Sequence, residues 1–160
     1  MQNKIAIFFF ILIININVCS SIFANEQFTF EVSELEISDN GNRIKGFNRG
    51  KILSDNGLEI QANIFNYNKI TNILNVSGDV KIEDKIKNFI IRAENITYLK
   101  NENKIISENN SKIIDNKGRT IDANKILYNS IEDTFNATGD VKVEDKIKNF
   151  IIRAENITYL

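Results

Sequence analysis

Apolar residues in this chain alternate with polar ones at step two, slip by one place, and alternate again. The segment from Phe89 to Tyr98 shows the form: Phe89, Ile91 and Ala93 share a face, and after the slip Ile96 and Tyr98 share it again. Step two is the strand period, because successive side chains point to opposite faces. A one-residue slip marks a bulge or a bend. A second arm precedes the first. From Gly78 to Asp84, Val80 and Ile82 take one face while Asp79, Lys81 and Glu83 take the other. β-Branched residues, which suit a pleated surface, dominate the inward positions. No long window carries the helical period of 3.6. The pattern predicts an all-β chain made of strand pairs.

The pairs repeat. Asn75–Leu99 returns as Asn136–Leu160 with 22 of 25 positions identical, and Lys51–Leu74 matches Lys112–Phe135, without a gap, at 9 of 24. Within that block lies a shorter period, since Ala62, Ala93, Ala123 and Ala154 recur at nearly equal spacing. Each alanine sits in one frame: apolar, any, Ala, two mostly polar residues, apolar, any, Tyr. Phe30–Ile37 fits the frame with Val32 in place of alanine and Ile37 in place of tyrosine. About five copies of a unit of roughly 30 residues follow one another, and a unit of that kind cannot bury its apolar face alone.

Turn residues punctuate the units. Asp39-Asn40-Gly41-Asn42, Asp55-Asn56-Gly57 and Asn116-Lys117-Gly118 are turns by composition. Glu83-Asp84-Lys85 and Glu144-Asp145-Lys146 take the same place in the other copies, in a longer loop. The first strand region covers residues 26–37, with Phe28, Phe30, Val32, Leu35 and Ile37 inward. No stretch has the composition of an interdomain linker.

Residues 1–24 have a different pattern: Lys4, an apolar run from Ile5 to Ile14, and a small residue at Ala24. This predicts a secretory signal peptide cleaved after Ala24, with the mature chain, residues 25–160, starting at Asn25. An uncleaved anchor is the alternative, although the run is short for a span of about 20 residues. A lipoprotein site at Cys19 is disfavoured by the large Val18 before it. Cys19 is the only cysteine and leaves with the signal, so the mature chain has no disulfide and no cysteine-ligated metal.

The mature chain holds 19 basic and 21 acidic side chains, which leaves no basic excess for nucleic acid. The sequence lacks Pro, Trp and His and is rich in Ile, Asn and Lys, a bias that empties single Asn or Ile residues of functional meaning. Without His or a mature Cys, the common general-base and thiol mechanisms have no residue to use, and no nucleophile elbow surrounds any Ser or Thr. The sequence therefore predicts no enzyme, no cofactor and no metal site. Glu83-Asp84 and Glu144-Asp145 read as solvated turn residues rather than a carboxylate pair. The four Asn-X-Ser/Thr triplets at Asn75, Asn95, Asn136 and Asn156 follow from asparagine abundance. Arg92 and Arg153 point outward by alternation, towards a lipid phosphate at a rim or a surface pairing with Glu94 or Glu155.

The recurring frame with Gly-Asp-Val-Lys behind a signal peptide resembles the OstA-like family. That family comprises the periplasmic lipopolysaccharide-transport protein LptA and the N-terminal domain of the outer-membrane assembly protein LptD, with LptC more distant. The residues that carry the likeness are Ala62 to Tyr67, Gly78-Asp79-Val80, Ala93 to Tyr98, Ala123 to Tyr128, Gly139-Asp140-Val141 and Ala154 to Tyr159. They span roughly residues 26–160. The chain departs from the family in stopping at Leu160, mid-motif, so the domain reads as truncated at its C-terminus.

The resemblance implies a repetitive antiparallel β-jellyroll, an open, twisted, folded sheet whose apolar groove takes the acyl chains of lipopolysaccharide. It places the protein in the periplasm or outer membrane of a Gram-negative bacterium. The implied partners are lipopolysaccharide, other OstA-like domains joined head to tail through edge strands, and an outer-membrane barrel if the chain continues. An LptD-like N-terminal domain is the first expectation. A free-standing LptA-like bridge and a repetitive scaffold that binds no lipid are the alternatives. The groove-lining positions are Ile60, Ala62, Phe65 and Tyr67; Val80 and Ile82; Ile91, Ala93, Ile96 and Tyr98; Ile121, Ala123, Ile126 and Tyr128; Val141 and Val143; and Ile152, Ala154, Ile157 and Tyr159. The same stripe would serve as plain sandwich core, and the repeated alanine beside isoleucine favours a lumen.

Overall fold

The computed structural model describes residues 28–159, so the expected signal peptide, Cys19 and Leu160 lie outside the described residues. Ten strands form one antiparallel meander: β1 (Phe28–Ser38), β2 (Arg43–Ser54), β3 (Leu58–Ala62), β4 (Ile64–Asn68), β5 (Ile73–Asp84), β6 (Phe89–Leu99), β7 (Lys104–Asp115), β8 (Thr120–Asn129), β9 (Thr134–Asp145) and β10 (Phe150–Tyr159). The order across the sheet is β1-β2-β3-β5-β6-β7-β8-β9-β10, with β4 between β2 and β5. β3 and β4 thus act as one strand broken at Asn63. The all-β fold and its two-strand repeat agree with the alternation in the sequence.

Every long strand bends near its middle. The ladders shift register between Val32 and Glu34, Ser77 and Val80, Arg92 and Asn95, Glu108 and Ser111, Asp122 and Lys125, and Ala154 and Asn156. The shifts beside Ala93, Ala123 and Ala154 fall where the apolar alternation slips. Their partners are pairs of left-handed residues that the sequence reading passed over: Asn48-Arg49, Gly78-Asp79, Asn109-Asn110 and Gly139-Asp140. Left-handed backbone suits Gly and, among other residues, Asn and Asp best. At Gly78 (φ +79°) a side chain would meet a neighbour as well, since a Cβ would lie 2.7 Å from Asn63 Nδ2.

These bulges fold the sheet over on itself. In a flat sheet Phe89, at the start of β6, would stand about 30 Å from Tyr128, at the end of β8, given a rise of about 3.3 Å per residue. Their ring centroids are 4.8 Å apart. The line of bulges is a crease, and the half-sheets on its two sides face each other across an apolar interior. Ile52, Ile60, Phe65, Leu74 and Ile82 are wholly buried there.

Opposite the crease, hairpin tips meet along a seam. One row of tips comprises residues 39–42, 69–72, 100–103 and 130–133. It is stitched lengthwise by Lys69 N–H to Asn42 O (2.8 Å), Lys100 N–H to Asn72 O (3.2 Å) and Ser130 N–H to Asn103 O (2.9 Å). The other row comprises residues 55–57, 85–88, 116–119 and 146–149. Lys100 Nζ reaches Asp55 Oδ1 across the seam at 2.7 Å, and Lys87 Nζ reaches Asp133 Oδ1 at 2.8 Å and Ser130 O at 3.0 Å.

Two details of the sequence reading change. Leu35 and Ile37, expected inward, are 44% and 60% exposed, because β1 is an edge strand of the described sheet and no described residue covers that end. Asp84 and Asp145 are not solvated turn residues. They are 8% and 3% exposed, and each Oδ1 accepts two backbone N–H bonds from its turn: Ile86 and Lys87 (2.9 and 2.8 Å), and Ile147 and Lys148 (3.0 and 2.8 Å). A side chain that replaces missing turn partners is the Asx-turn device.

Candidate functional site

The interior is built from rows that run across the strands. The row on one side of the crease sets Gly50 against Ala62, Val80 against Ala93, Ser111 against Ala123 and Val141 against Ala154. Small residues recur here because the two half-sheets converge at the crease and leave little room. The alanine that suggested a lumen therefore has a packing reason of its own. Further out, Ile60, Ile82, Ile91, Ile121 and Val143 line one wall, while Phe65, Ile96 and Ile126 line the other.

From β3 to β9 this interior is shut. Of the expected groove positions, Ile60, Ala62, Phe65, Tyr67, Val80, Ile82, Ile91, Ala93, Ile96, Tyr98, Ile121, Ala123, Ile126, Tyr128, Val141 and Val143 come together, none more than 8% exposed. Of the four on β10, Ile157 and Tyr159 pack against this cluster and Ile152 and Ala154 do not. Ile152 is 49% exposed, Ala154 is exposed, and Ile157 and Tyr159 are half-buried. Polar side chains in the interior are few. Ser107 donates to Ile126 O at 3.3 Å, and Ser111 Oγ has no partner among the described residues.

The tyrosines join interior to seam. The Tyr67 hydroxyl donates to Asn72 Oδ1 (2.9 Å), the Tyr128 hydroxyl donates to Asp133 Oδ1 (3.0 Å), and the Tyr98 hydroxyl accepts from Asn56 Nδ2 (2.9 Å). A ring in the core with its hydroxyl at a wet rim is what this amphipathic side chain does best. Phenylalanines complete each cluster. Phe28 packs edge-on against Tyr67 at 4.7 Å and lies 6.1 Å from Tyr98, while Phe89 meets Tyr128 and Phe135 at 4.8 and 5.1 Å. The sequence frame identified the tyrosines as inward. It missed their hydroxyl bonds: Tyr67 and Tyr128 bond to the tip of their own hairpin, five residues on, and Tyr98 to a tip 42 residues away, which had no local signal.

Electrostatics concentrate at the seam. Burial raises all three of these hydroxyls, and Tyr128 is pushed up to about 12. The Lys87 ammonium beside Asp133 holds that carboxyl below the usual range. Burial works to lower Lys87, but Asp133 and Tyr128 outweigh it and hold the ammonium above its ordinary value.

On the outer face, Arg92 and Arg153 are exposed as alternation required. Among the described residues no ion pair joins either to Glu94 or Glu155. Arg92 stands directly between Lys81 and Lys112, whose partners are Glu83 (2.6 Å) and Asp122 (2.9 Å). No cluster of three or more acidic, cysteine or histidine residues suited to a metal occurs among the described residues. An apolar interior with a polar seam can enclose hydrocarbon and keep it from water.

No protein-family model and no curated protein matches the chain. Among solved structures, the fold matches the crystal structure of LptH from Pseudomonas aeruginosa, the LptA-homologous periplasmic component of the conserved lipopolysaccharide transport device. The TM-score is 0.65 at 14% identity, over 83% of this chain and 94% of that one. The chain has the LptA-like fold that its repeated frame resembles.

Proposed function

We propose that this protein is a periplasmic component of lipopolysaccharide transport and that its folded-sheet interior carries the acyl chains. The observation behind this reading is the continuous apolar interior, closed from β3 to β9 and open at β10, on the fold of LptH. Burial of hydrocarbon supplies about 0.8 kcal/mol per methylene with little demand on shape, which suits a conduit. No residue of the interior supplies chemistry, so the energy for movement comes from a partner.

The same reading gives the edges a role. Among the described residues β1 and β10 each have one neighbour, and the other side of each presents N–H and C=O groups with no strand beside them. Pairing of β10 with the β1 edge of another OstA-like domain would extend the sheet and cover Ile152 and Phe150. Light scattering over a concentration series checks this, with a strictly monomeric species as the failing result. Two forms of the module fit. The likeness to LptH, a periplasmic component, supports a free-standing bridge. An LptD-like N-terminal domain is the other form, and a run of barrel strands encoded after codon 160 would establish it.

The deciding experiment places a photo-crosslinking residue at the inward positions Ile96 and Ile126 and at the outward positions Arg92 and Asp122. Lipopolysaccharide adducts form at the first two and not at the last two. Equal labelling at all four, or none, makes the stripe ordinary core.

A further inference from the structure

Four of the hairpin tips share one design. In the turns at 69–72, 85–88, 130–133 and 146–149, an Asx side chain (Asn68, Asp84, Asn129 or Asp145) accepts two backbone N–H bonds from the turn. A left-handed Asn or Asp (Asn72, Asn88, Asp133 or Asn149) closes it. Each turn carries an isoleucine at its apex, and these are the most exposed large apolar residues described: Ile70 at 69%, Ile86 and Ile131 at 74%, and Ile147 at 78%. Single exposed apolar residues need no explanation. Four at the same apex of the same fixed turn, on the two rows of tips that border one seam, form a pattern that packing does not use.

Charge follows the same line. The eight tips together hold eight basic and five acidic residues, although the whole chain has a net charge of −1. Ile86 and Ile147 lie between two lysines each, Lys85 with Lys87 and Lys146 with Lys148, and Ile70 follows Lys69. Lys85 and Lys87 are held by Glu59 and Asp133, whereas among the described residues Lys146 and Lys148 have no ion-pair partner. Apolar apices interleaved with lysines match the boundary between acyl chains and an anionic headgroup layer.

We propose that the tips along the seam are a docking surface for an anionic lipid bilayer, with Ile147 and Ile86 entering the acyl boundary and Lys146 and Lys148 meeting the headgroups. The seam is also the line along which side chains such as Lys87 and Lys100 join the two half-sheets, so docking there sets the joint against the membrane. The proposal does not depend on what the interior carries.

The chain has no tryptophan, so a single substitution installs a unique fluorophore. Ile147→Trp and Ile86→Trp place it at two tips. Ile64→Trp, on the outer face of β4 at a site 47% exposed, serves as the control. Each variant of the full chain, with circular dichroism confirming the fold, is mixed with vesicles of phosphatidylglycerol or phosphatidylcholine carrying brominated acyl chains. We expect both tip fluorophores to shift to the blue and lose most of their intensity in phosphatidylglycerol vesicles and to stay unchanged in phosphatidylcholine. The Ile64→Trp emission stays unchanged in both. Absence of quenching at the tips overturns the proposal and leaves a protein partner or open solvent at the seam. Equal quenching at Ile64, or equal quenching by the neutral vesicles, overturns it as well.

Discussion

β6 and β10 have the same sequence from phenylalanine to tyrosine and opposite surroundings. In β6, Phe89, Ile91, Ala93, Ile96 and Tyr98 are 6%, 1%, 8%, 2% and 3% exposed. In β10, Phe150 and Ile152 are 38% and 49% exposed and Ala154 is open to solvent. Each strand pairs on one side with a near copy of the same partner, β5 or β9. β6 has β7 on its other side, and Phe89 meets Tyr128 across the seam. The alternation of a strand states which face turns inward. Whether that face is dry depends on the unit that comes after it. The twin strands therefore allow burial to be changed while sequence, register and turn chemistry stay fixed.

The largest separation is expected from a charge at matched positions. Ile91→Asp leaves an unpaired carboxylate in the interior, at a cost of several kcal/mol that takes up most of a typical domain's stability. Ile152→Asp costs under about 0.5 kcal/mol, as surface changes do. Urea midpoints measure both, and equal losses would show that β10 is covered in solution.

Gly78→Ala and Gly139→Ala sharpen the comparison from the other side, because here the twins are alike. Both glycines have φ +79°, and a Cβ on either would come within 2.8 Å of an asparagine Nδ2, of Asn63 or Asn124. Left-handed backbone alone costs an alanine about 1–2 kcal/mol. Both variants lose at least that much, and by similar amounts, in thermal or urea unfolding. A harmless Gly139→Ala would mean that the crease relaxes towards the β10 end.

A smaller difference separates Tyr98→Phe from Tyr159→Phe. The first removes the acceptor of Asn56 and costs about 1 kcal/mol. The second removes a hydroxyl from a half-buried ring that sits under Arg119, and stability stays within error. Urea midpoints check this pair too.

The smallest effect concerns pH. Asp133 is held below its ordinary value in the folded protein by Lys87. Its contribution is therefore present above the unfolded carboxylate value near pH 4 and is lost as pH falls through the lowered one. The pair is largely exposed, so less than about 1 kcal/mol is involved. Lys87→Met removes this part of the acid-limb slope, whereas Lys148→Met, at the twin position, leaves the slope unchanged. Unfolding midpoints between pH 5 and pH 2 distinguish the two.

The features legible in the sequence are those with a local cause. Step-two alternation through Phe89 to Tyr98 identified the strands, the slip beside Ala93 identified the bend, and Asp55-Asn56-Gly57 identified a turn. The repeated frame led to the LptA-like fold. Asn48-Arg49 and Asn109-Asn110 were missed because strand composition around them hides a left-handed pair, although an asparagine at the matched place in both copies, Asn48 and Asn109, was a usable sign. Asp84 was misread because its task, to accept two backbone bonds, leaves no trace in a run of charged residues. The exposure of Ile152 was illegible for a different reason. The tips that close the seam are 42 to 46 residues apart in sequence, and no short window along the chain contains both.

That separation ties growth of the protein to gene arithmetic. Tips that carry a glycine (Gly57 and Gly118) alternate with tips that carry an isoleucine (Ile86 and Ile147), so the pattern returns after every second unit and not after each one. Copying two adjacent units together keeps both kinds of tip in turn, and the near-identity of Asn75–Leu99 and Asn136–Leu160 has that spacing. Each such double unit adds four strand positions to the sheet, as between Phe28 and Phe89, or about 19 Å at about 4.8 Å per strand. Reach across a gap can thus be adjusted in whole steps of that length, by copying DNA, without a new interface having to be invented.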